Sequence, residues 1–201
     1  MEGETHDVNR LVGDVGRAGQ TLLATYANDD RIDNDAVLAY SNAVLRFPCV
    51  HKNQVTEEQR EGYLGAILEM AGDAIKIYRT AALELDMIRE DTPDAKGGYT
   101  VEKNLCVLAA ASNALSIASG QMQLLHQTTD NAKMRPVMDE IERLDKEHPE
   151  GRLIHALITL RTLRRMMEQD TVTRDKFLEL PQKPEATPTA PQPKARITAR
   201  G

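Results

Sequence analysis

Apolar side chains recur at intervals of three and four residues along most of the chain, which is the period of an amphipathic α-helix. Proline and glycine interrupt the pattern, as at Pro48 and at Gly97-Gly98. No segment has the strict alternation of a half-buried strand, so the sequence predicts an all-α fold. The predicted helices cover about 5–26, 35–47, 57–90, 100–128, 136–147 and 152–169.

The clearest helix start is at Thr56, which is followed three residues later by Gln59. A threonine and a glutamine at this spacing form a capping box, in which each side chain bonds to the backbone N–H of the other residue. No proline follows until Pro93, and the next predicted helix is nearly as long. The sequence therefore predicts an elongated bundle built on a long antiparallel helical hairpin, 56–90 against 100–128.

The fourth predicted helix is uncharged, since no Asp, Glu, Lys or Arg lies between Lys103 and Asp130. It is long enough to cross a bilayer, but its serines and amides would lack partners in lipid. We therefore expect a central bundle helix and no membrane span. Small residues at i and i+4 allow close backbone approach and predict a helix-packing interface, within the chain or between chains. The candidate residues are Ala110, Ser112, Ala114, Ser116, Ala118 and Gly120.

Three local expectations concern the ends of helices and one cysteine. Pro136 suits the first turn of the fifth helix, because a proline there loses no hydrogen bond. The sixth helix is expected to stop near Gln169, with a further short helical turn in 171–180. Cys106, on the uncharged helix, is expected to be a small buried apolar residue.

The composition changes after residue 180. The segment 181–201 contains five of the nine prolines and no aromatic residue. A chain of this kind is extended and cannot bury a core of its own. We therefore predict a helical bundle domain at 1–180 and an extended, Pro-rich C-terminal arm at 181–201.

The net charge of −6 conceals an uneven distribution. Residues 1–150 contain 15 basic and 26 acidic side chains, whereas residues 151–201 contain 10 basic and 5 acidic ones. A basic end on an acidic body suits an acidic protein surface or nucleic-acid phosphate. The candidate partner-binding residues are Arg161, Arg164, Arg165, Lys183, Lys194, Arg196 and Arg200.

Catalytic and metal-binding patterns are weak in this sequence. Cys49 and His51 are the closest Cys–His pair, which is too few ligands for a zinc site, and we predict no metal or cofactor. Arg143 followed by His148 is similar to the arginine–histidine spacing of one group of all-helical RNases. An RNase that uses this pair is therefore an alternative hypothesis.

These observations favour a non-enzymatic structural, assembly or adaptor subunit of a larger homo- or hetero-oligomeric complex, for example a virus particle. The expected partners are proteins, and the basic end makes nucleic acid a further candidate. A nucleic-acid-associated regulator is thus another alternative. Without an N-terminal apolar segment, we expect a location in the cytoplasm or within an assembled particle.

Overall fold

The computed structural model describes residues 2–28, 33–91, 97–149 and 153–179, and the C-terminal arm lies outside these ranges. The described residues are helical and contain no strand, which confirms the all-α class. Two 3-10 turns, Lys52–Gln54 and Thr128–Asp130, lie between helices. The α-helices are α1 (Glu2–Asn28), α2 (Asn34–Leu45), α3 (Glu57–Asp91), α4 (Gly97–Leu125), α5 (Asn131–Glu147) and α6 (Ile154–Glu179).

The uncharged helix α4 lies at the centre of the bundle. It packs most extensively against α3 and also contacts α6 and α2. Arg60, in the first turn of α3, donates from Nη1 to the carbonyl oxygen of Leu125 in the last turn of α4 at 3.3 Å. These two turns therefore lie side by side. All six helices contribute buried apolar side chains to one core. Because helices pack against α4 on three sides, most of its length is shielded from water, where charged side chains would be unfavourable.

The buried polar groups of α4 have partners inside the protein. Ser119 Oγ donates to the carbonyl oxygen of Leu115 at 2.7 Å, and Gln121 Oε1 accepts from the backbone N–H of Val50 at 3.1 Å. Among the described helices, the Val101–Leu125 stretch is the one with the length and hydropathy of a membrane span. The chain itself buries 61% of the apolar window that meets this criterion, as expected for a core helix.

The predicted capping box at the start of α3 is confirmed. The backbone N–H of Thr56 donates to Gln59 Oε1 at 2.9 Å, and the backbone N–H of Gln59 donates to Thr56 Oγ1 at 3.3 Å. The two bonds satisfy donors that would otherwise be free at the helix start. The local sequence therefore fixes where α3 begins.

Two predicted boundaries are wrong. α5 begins at Asn131, so Pro136 lies inside the helix and not in its first turn. The 3-10 turn Thr128–Asp130 leads directly into α5, and the buried Met134, four residues before the buried Met138, extends the apolar row of α5 ahead of Pro136. α6 continues without a break to Glu179, because nothing between Gln169 and Glu179 is a helix breaker.

The expectation that Cys106 is buried is also wrong, since its side chain is exposed. Ala109 and Asn113 follow it at helical spacing and are exposed as well. The helices around α4 therefore leave one narrow strip of it open to solvent. Small uncharged side chains gave no sequence signal for this strip, because they suit buried and exposed positions alike.

Gly19 brings α1 close to α2 and α3. A Cβ atom at this position would lie 3.3 Å from Tyr40 Cε2 and 3.4 Å from Ile77 Cδ1, which is tight for both contacts. Tyr40 is fully buried, and its hydroxyl is the buried side-chain polar atom that lacks a hydrogen-bond partner within the described part of the chain. Burial, with a smaller contribution from the charge of Asp73, raises the pKa of Tyr40 above its ordinary value.

Tyr40→Phe should increase the free energy of unfolding by about 1 kcal/mol, because it removes a buried hydroxyl that has lost its bonds to water. Urea unfolding at neutral pH measures the change. Tyr78→Phe is the matched control, since Tyr78 is equally buried but its side chain has an interaction partner. If Tyr40→Phe lost as much stability as the control, the interpretation that the Tyr40 hydroxyl is buried without a hydrogen-bond partner would be contradicted.

Tyr40→Phe should also change how the free energy of unfolding depends on pH in alkaline solution. Because the folded-state pKa of Tyr40 is raised above 10.0, stability does not depend on the ionisation of Tyr40 while the pH stays well below 10. Stability is lost as the pH rises above 10, since the unfolded chain then ionises at this position and the folded chain does not. The difference in stability between Tyr40→Phe and wild type should therefore widen above pH 10.

Candidate functional site

Helix α6 carries two rows of side chains on opposite faces. The inner row, here called the inner seam, is buried against the rest of the bundle. The outer row, here called the outer seam, is exposed to solvent. The inner seam consists of Leu153, Ala156, Leu160, Leu163 and Met167. The outer seam consists of Ile154, Ile158, Arg161 and Arg165.

The three predicted arginines of α6 separate by their position around the helix. Arg164 lies four residues after Leu160 and is half-buried, so it lies at the margin of the inner seam beside α5. Arg161 and Arg165 are four residues apart and share the outer face. The rotation of about 100° between successive helical residues thus gives the neighbouring Arg164 and Arg165 different surroundings.

Arg164 forms a bidentate bridge from α6 to α5. Its Nε donates to Glu142 Oε1 at 2.8 Å, and its Nη2 donates to Asp139 Oδ1 at 2.5 Å. These bonds, first to Glu142 and then to Asp139, raise the pKa of the guanidinium. Glu142 and Asp139 thus engage Nε and Nη2 of Arg164 and give this arginine a structural contact within the chain, while its role as a partner-binding residue stays a prediction.

Arg161 and Arg165 remain open to a partner. Both side chains are exposed, and within the described ranges neither one pairs with a carboxylate. The other predicted basic residues belong to the arm and lie outside the described residues: Lys183, Lys194, Arg196 and Arg200.

The small residues of α4 fall into two environments. The alanines of the predicted packing interface are buried, and so is Ser112, which places this part of the interface within the chain's own core. Ser116 and Gly120 are half-buried, and Ser116 Oγ donates to the carbonyl oxygen of Ser112 at 2.9 Å. The buried alanines are Ala110, Ala114 and Ala118.

The two residues of the RNase alternative, Arg143 and His148, contact different carboxylates. Arg143 lies on α5, where its Nη2 donates to Glu140 Oε1 at 2.6 Å and its Nε lies 3.7 Å from Glu147 Oε1. His148 caps the end of α5, and its Nδ1 lies 3.4 Å from Asp86 Oδ2 of α3. His148 borders a pocket of about 250 Å³ that Arg143 does not line.

A buried ion pair joins the ends of three elements, and sequence reasoning missed it. Arg60 and Asp130 are each 1% exposed and are hydrogen-bonded to one another. Arg60 Nη2 also donates to Glu57 Oε1 at 2.7 Å, and Gln127 Nε2 donates to Glu57 Oε2 at 2.9 Å. We call these four residues the polar clamp. The available signal was that Asp130 is the first charge after the uncharged helix.

The polar clamp shifts the ionisation of its members. Hydrogen bonds that Arg60 donates to Glu57, and to a lesser extent to Asp130, raise the pKa of Arg60 despite its burial. The hydrogen bond from Arg60, followed by that from Gln127, lowers the pKa of Glu57. Both shifts favour the charged forms of Arg60 and Glu57.

A second polar contact beside the clamp anchors the C-terminal half of α6. Thr128 Oγ1 donates to Asp170 Oδ2 at 3.1 Å, and the same carboxylate oxygen lies 3.8 Å from Nε2 of the buried His126. His126 Nε2 is 2.8 Å from Asn131 Oδ1. An open depression of about 480 Å³ lies over these groups. Its carboxylate and imidazole are already held by protein groups.

No group of three or more His, Cys, Asp or Glu side chains suited to a metal ion occurs among the residues that the structure describes. Comparisons of the chain with protein-family models, curated proteins and solved structures gave no significant match. The outer seam of α6 therefore stands as the candidate site on its own geometry.

Arg164→Met should lower the free energy of unfolding by about 1 kcal/mol, the value of a half-exposed ion-pair network screened by solvent. The reason is that the change removes the bridge from α6 to both carboxylates of α5. Arg165→Met is the matched control and should change stability by less than about 0.5 kcal/mol. Equal effects of the two substitutions in urea unfolding would contradict the separation of roles.

Proposed function

We propose that this chain is a non-enzymatic assembly or adaptor subunit of a larger complex, in which the helical body and the basic C-terminal arm contact different partners. The observation that supports the proposal is a set of large apolar side chains that are exposed in pairs at helical spacing. α2, α3 and α6 each carry one such pair. The pairs are Leu38 with Leu45, Leu83 with Met87, and Ile154 with Ile158.

Paired exposure is more informative than a single exposed leucine. Isolated apolar residues are common on protein surfaces and need no explanation. Two large apolar side chains one or two turns apart form a ridge, which is the unit that packs into the groove of another helix. These six side chains are each at least 52% exposed, so they contribute little to the stability of the isolated chain.

The overall shape that we propose suits such a role. α3 and α4 form a long antiparallel hairpin in this proposal, which makes the body an elongated rod. An arm at 181–201 with four basic residues and one acidic residue can reach a surface away from the rod. Multiple weak contacts on one subunit reinforce each other in an assembly.

Deletion of 181–201 should leave the bundle folded but weaken its association with partners. All core residues of the described structure precede the arm, so far-UV circular dichroism and the melting temperature should change little. Tagged full-length and truncated chains, recovered from the source cells, are compared by light-scattering size measurement and mass spectrometry. The difference in association between the full-length and truncated chains should shrink at higher salt, because salt screens the charge contacts that the arm supplies.

A full-length control separates the charge of the arm from its length. In this variant Lys183, Lys194, Arg196 and Arg200 are all replaced by glutamine. The variant should lose the same partners as the truncation if charge carries the contact. If the wild-type chain is recovered only as a free monomer, the assembly function is rejected. If the truncated chain assembles as the full-length chain does, the role of the arm is rejected.

A further inference from the structure

The outer seam of α6 has the spacing of a coiled-coil interface. Its members are separated by four, three and four residues, which places them at successive d, a, d and a positions of a heptad. The inner seam uses the same kind of spacing and is filled by the bundle. α6 therefore presents two helix-pairing surfaces, of which the protein itself occupies one.

The two halves of the outer seam differ in chemistry. Ile154 and Ile158 are 52% and 55% exposed and form an apolar half near the start of α6. Arg161 and Arg165 form a cationic half one to three turns further along. The neighbouring Arg164 is held by two carboxylates of α5, whereas neither arginine of the outer seam forms an ion pair with a carboxylate of the described residues. This open cationic half is the feature that selects a partner.

We propose that the outer seam of α6 binds an amphipathic helix of a partner protein, one that carries apolar residues opposite the isoleucines and carboxylates opposite the arginines. The inference rests on the proposed function and names the class of partner. Helices pair by packing an apolar row against an apolar row, which the isoleucines provide. Arginine binds carboxylate in a planar, bidentate geometry, which fixes the register of the two helices.

Other occupants fit the outer seam less well. The chain's own arm is basic and would be repelled by Arg161 and Arg165. A second copy in parallel alignment would place each arginine against its own counterpart, and like charges at such positions destabilise pairing. Nucleic acid would bind the arginines but would leave the isoleucines against a polar backbone. An acidic amphipathic helix satisfies both halves.

The test uses the full-length chain and two fluorescein-labelled synthetic helical peptides three heptads long. The first peptide has leucine at the seam positions of its N-terminal half and glutamate at those of its C-terminal half. The second peptide has the reverse order. One order pairs with α6 in parallel and the other in antiparallel alignment. Fluorescence anisotropy at low and high salt should show binding of one peptide, weakened by salt.

Charge reversal provides the decisive comparison. The double variant R161E/R165E should weaken binding of that peptide at least roughly tenfold, since it replaces attraction by repulsion. A peptide with lysine in place of glutamate should restore binding to the variant. L83S/M87S, which changes the exposed pair of α3, is the matched control and should leave binding unchanged. The substituted positions are exposed, and circular dichroism verifies that each variant is folded.

Several results would overturn the inference. Failure of both peptides to bind, or equal binding by wild type and R161E/R165E, would reject the outer seam as an acidic-helix site. Self-association of the wild type that I158S abolishes would assign the outer seam to a second copy instead.

The proposed function has a separate outcome. A chain with I158S, R161E and R165E that still enters its large complex in cells would reject only the outer-seam inference. A wild-type chain recovered from cells only as a monomer would reject the assembly function, whatever the peptides do.

Discussion

The buried pair of Arg60 and Asp130 is the interaction on which the rest of the bundle depends. An unpaired charge at 1% exposure would be prohibitively unfavourable, so the buried Asp130 requires Arg60, and Arg60 is paired with both Asp130 and Glu57. Arg60 also donates to the carbonyl oxygen of Leu125, one of the four carbonyls left free at the end of α4. The pair thus fixes the first turn of α3, the last turn of α4 and the turn before α5 in one place.

The position of α6 follows from the elements around that pair. The turn that supplies Asp130 also supplies Thr128, which donates to Asp170 of α6. α5 is held on one side by Arg79 of α3, through Glu140, and on the other by Arg164 of α6. With its inner face committed to these contacts and to the core, α6 leaves its outer seam exposed to solvent.

The sequence predicts the local features of this fold well and the distant ones poorly. The capping box of Thr56 and Gln59 depends on residues three apart, and it was predicted with its correct pairing. The clamp joins residues 70 apart, and no periodic pattern connects Arg60 to Asp130. Helical class depends on period alone and was therefore predicted, whereas the start of α5 depended on a 3-10 turn that has no apolar signature.

The candidate site was predicted only in part, for the same reason. Three arginines in one helix indicate a basic end, but their roles depend on which face meets α5. Spacing alone could have placed Arg161 and Arg165 together, since they are four apart. Spacing could not reveal that Arg164 forms ion pairs with Glu142 and Asp139, because the packing of α6 against α5 brings these residues together. The exposed isoleucines were likewise indistinguishable from core residues before the helix faces were known.

A double-mutant cycle on Arg60 and Asp130 tests the account most directly. Arg60→Leu and Asp130→Leu, singly and together, are compared with wild type by urea unfolding at neutral pH. Arg60→Leu should cost about 3–5 kcal/mol, because it leaves the buried carboxylate of Asp130 unpaired. Asp130→Leu should cost about 2 kcal/mol, because Arg60 loses one partner but keeps its ion pair with Glu57. The double variant should cost no more than Arg60→Leu alone, giving a coupling energy of at least about 2 kcal/mol. Small and additive losses would show that the bundle does not depend on this pair.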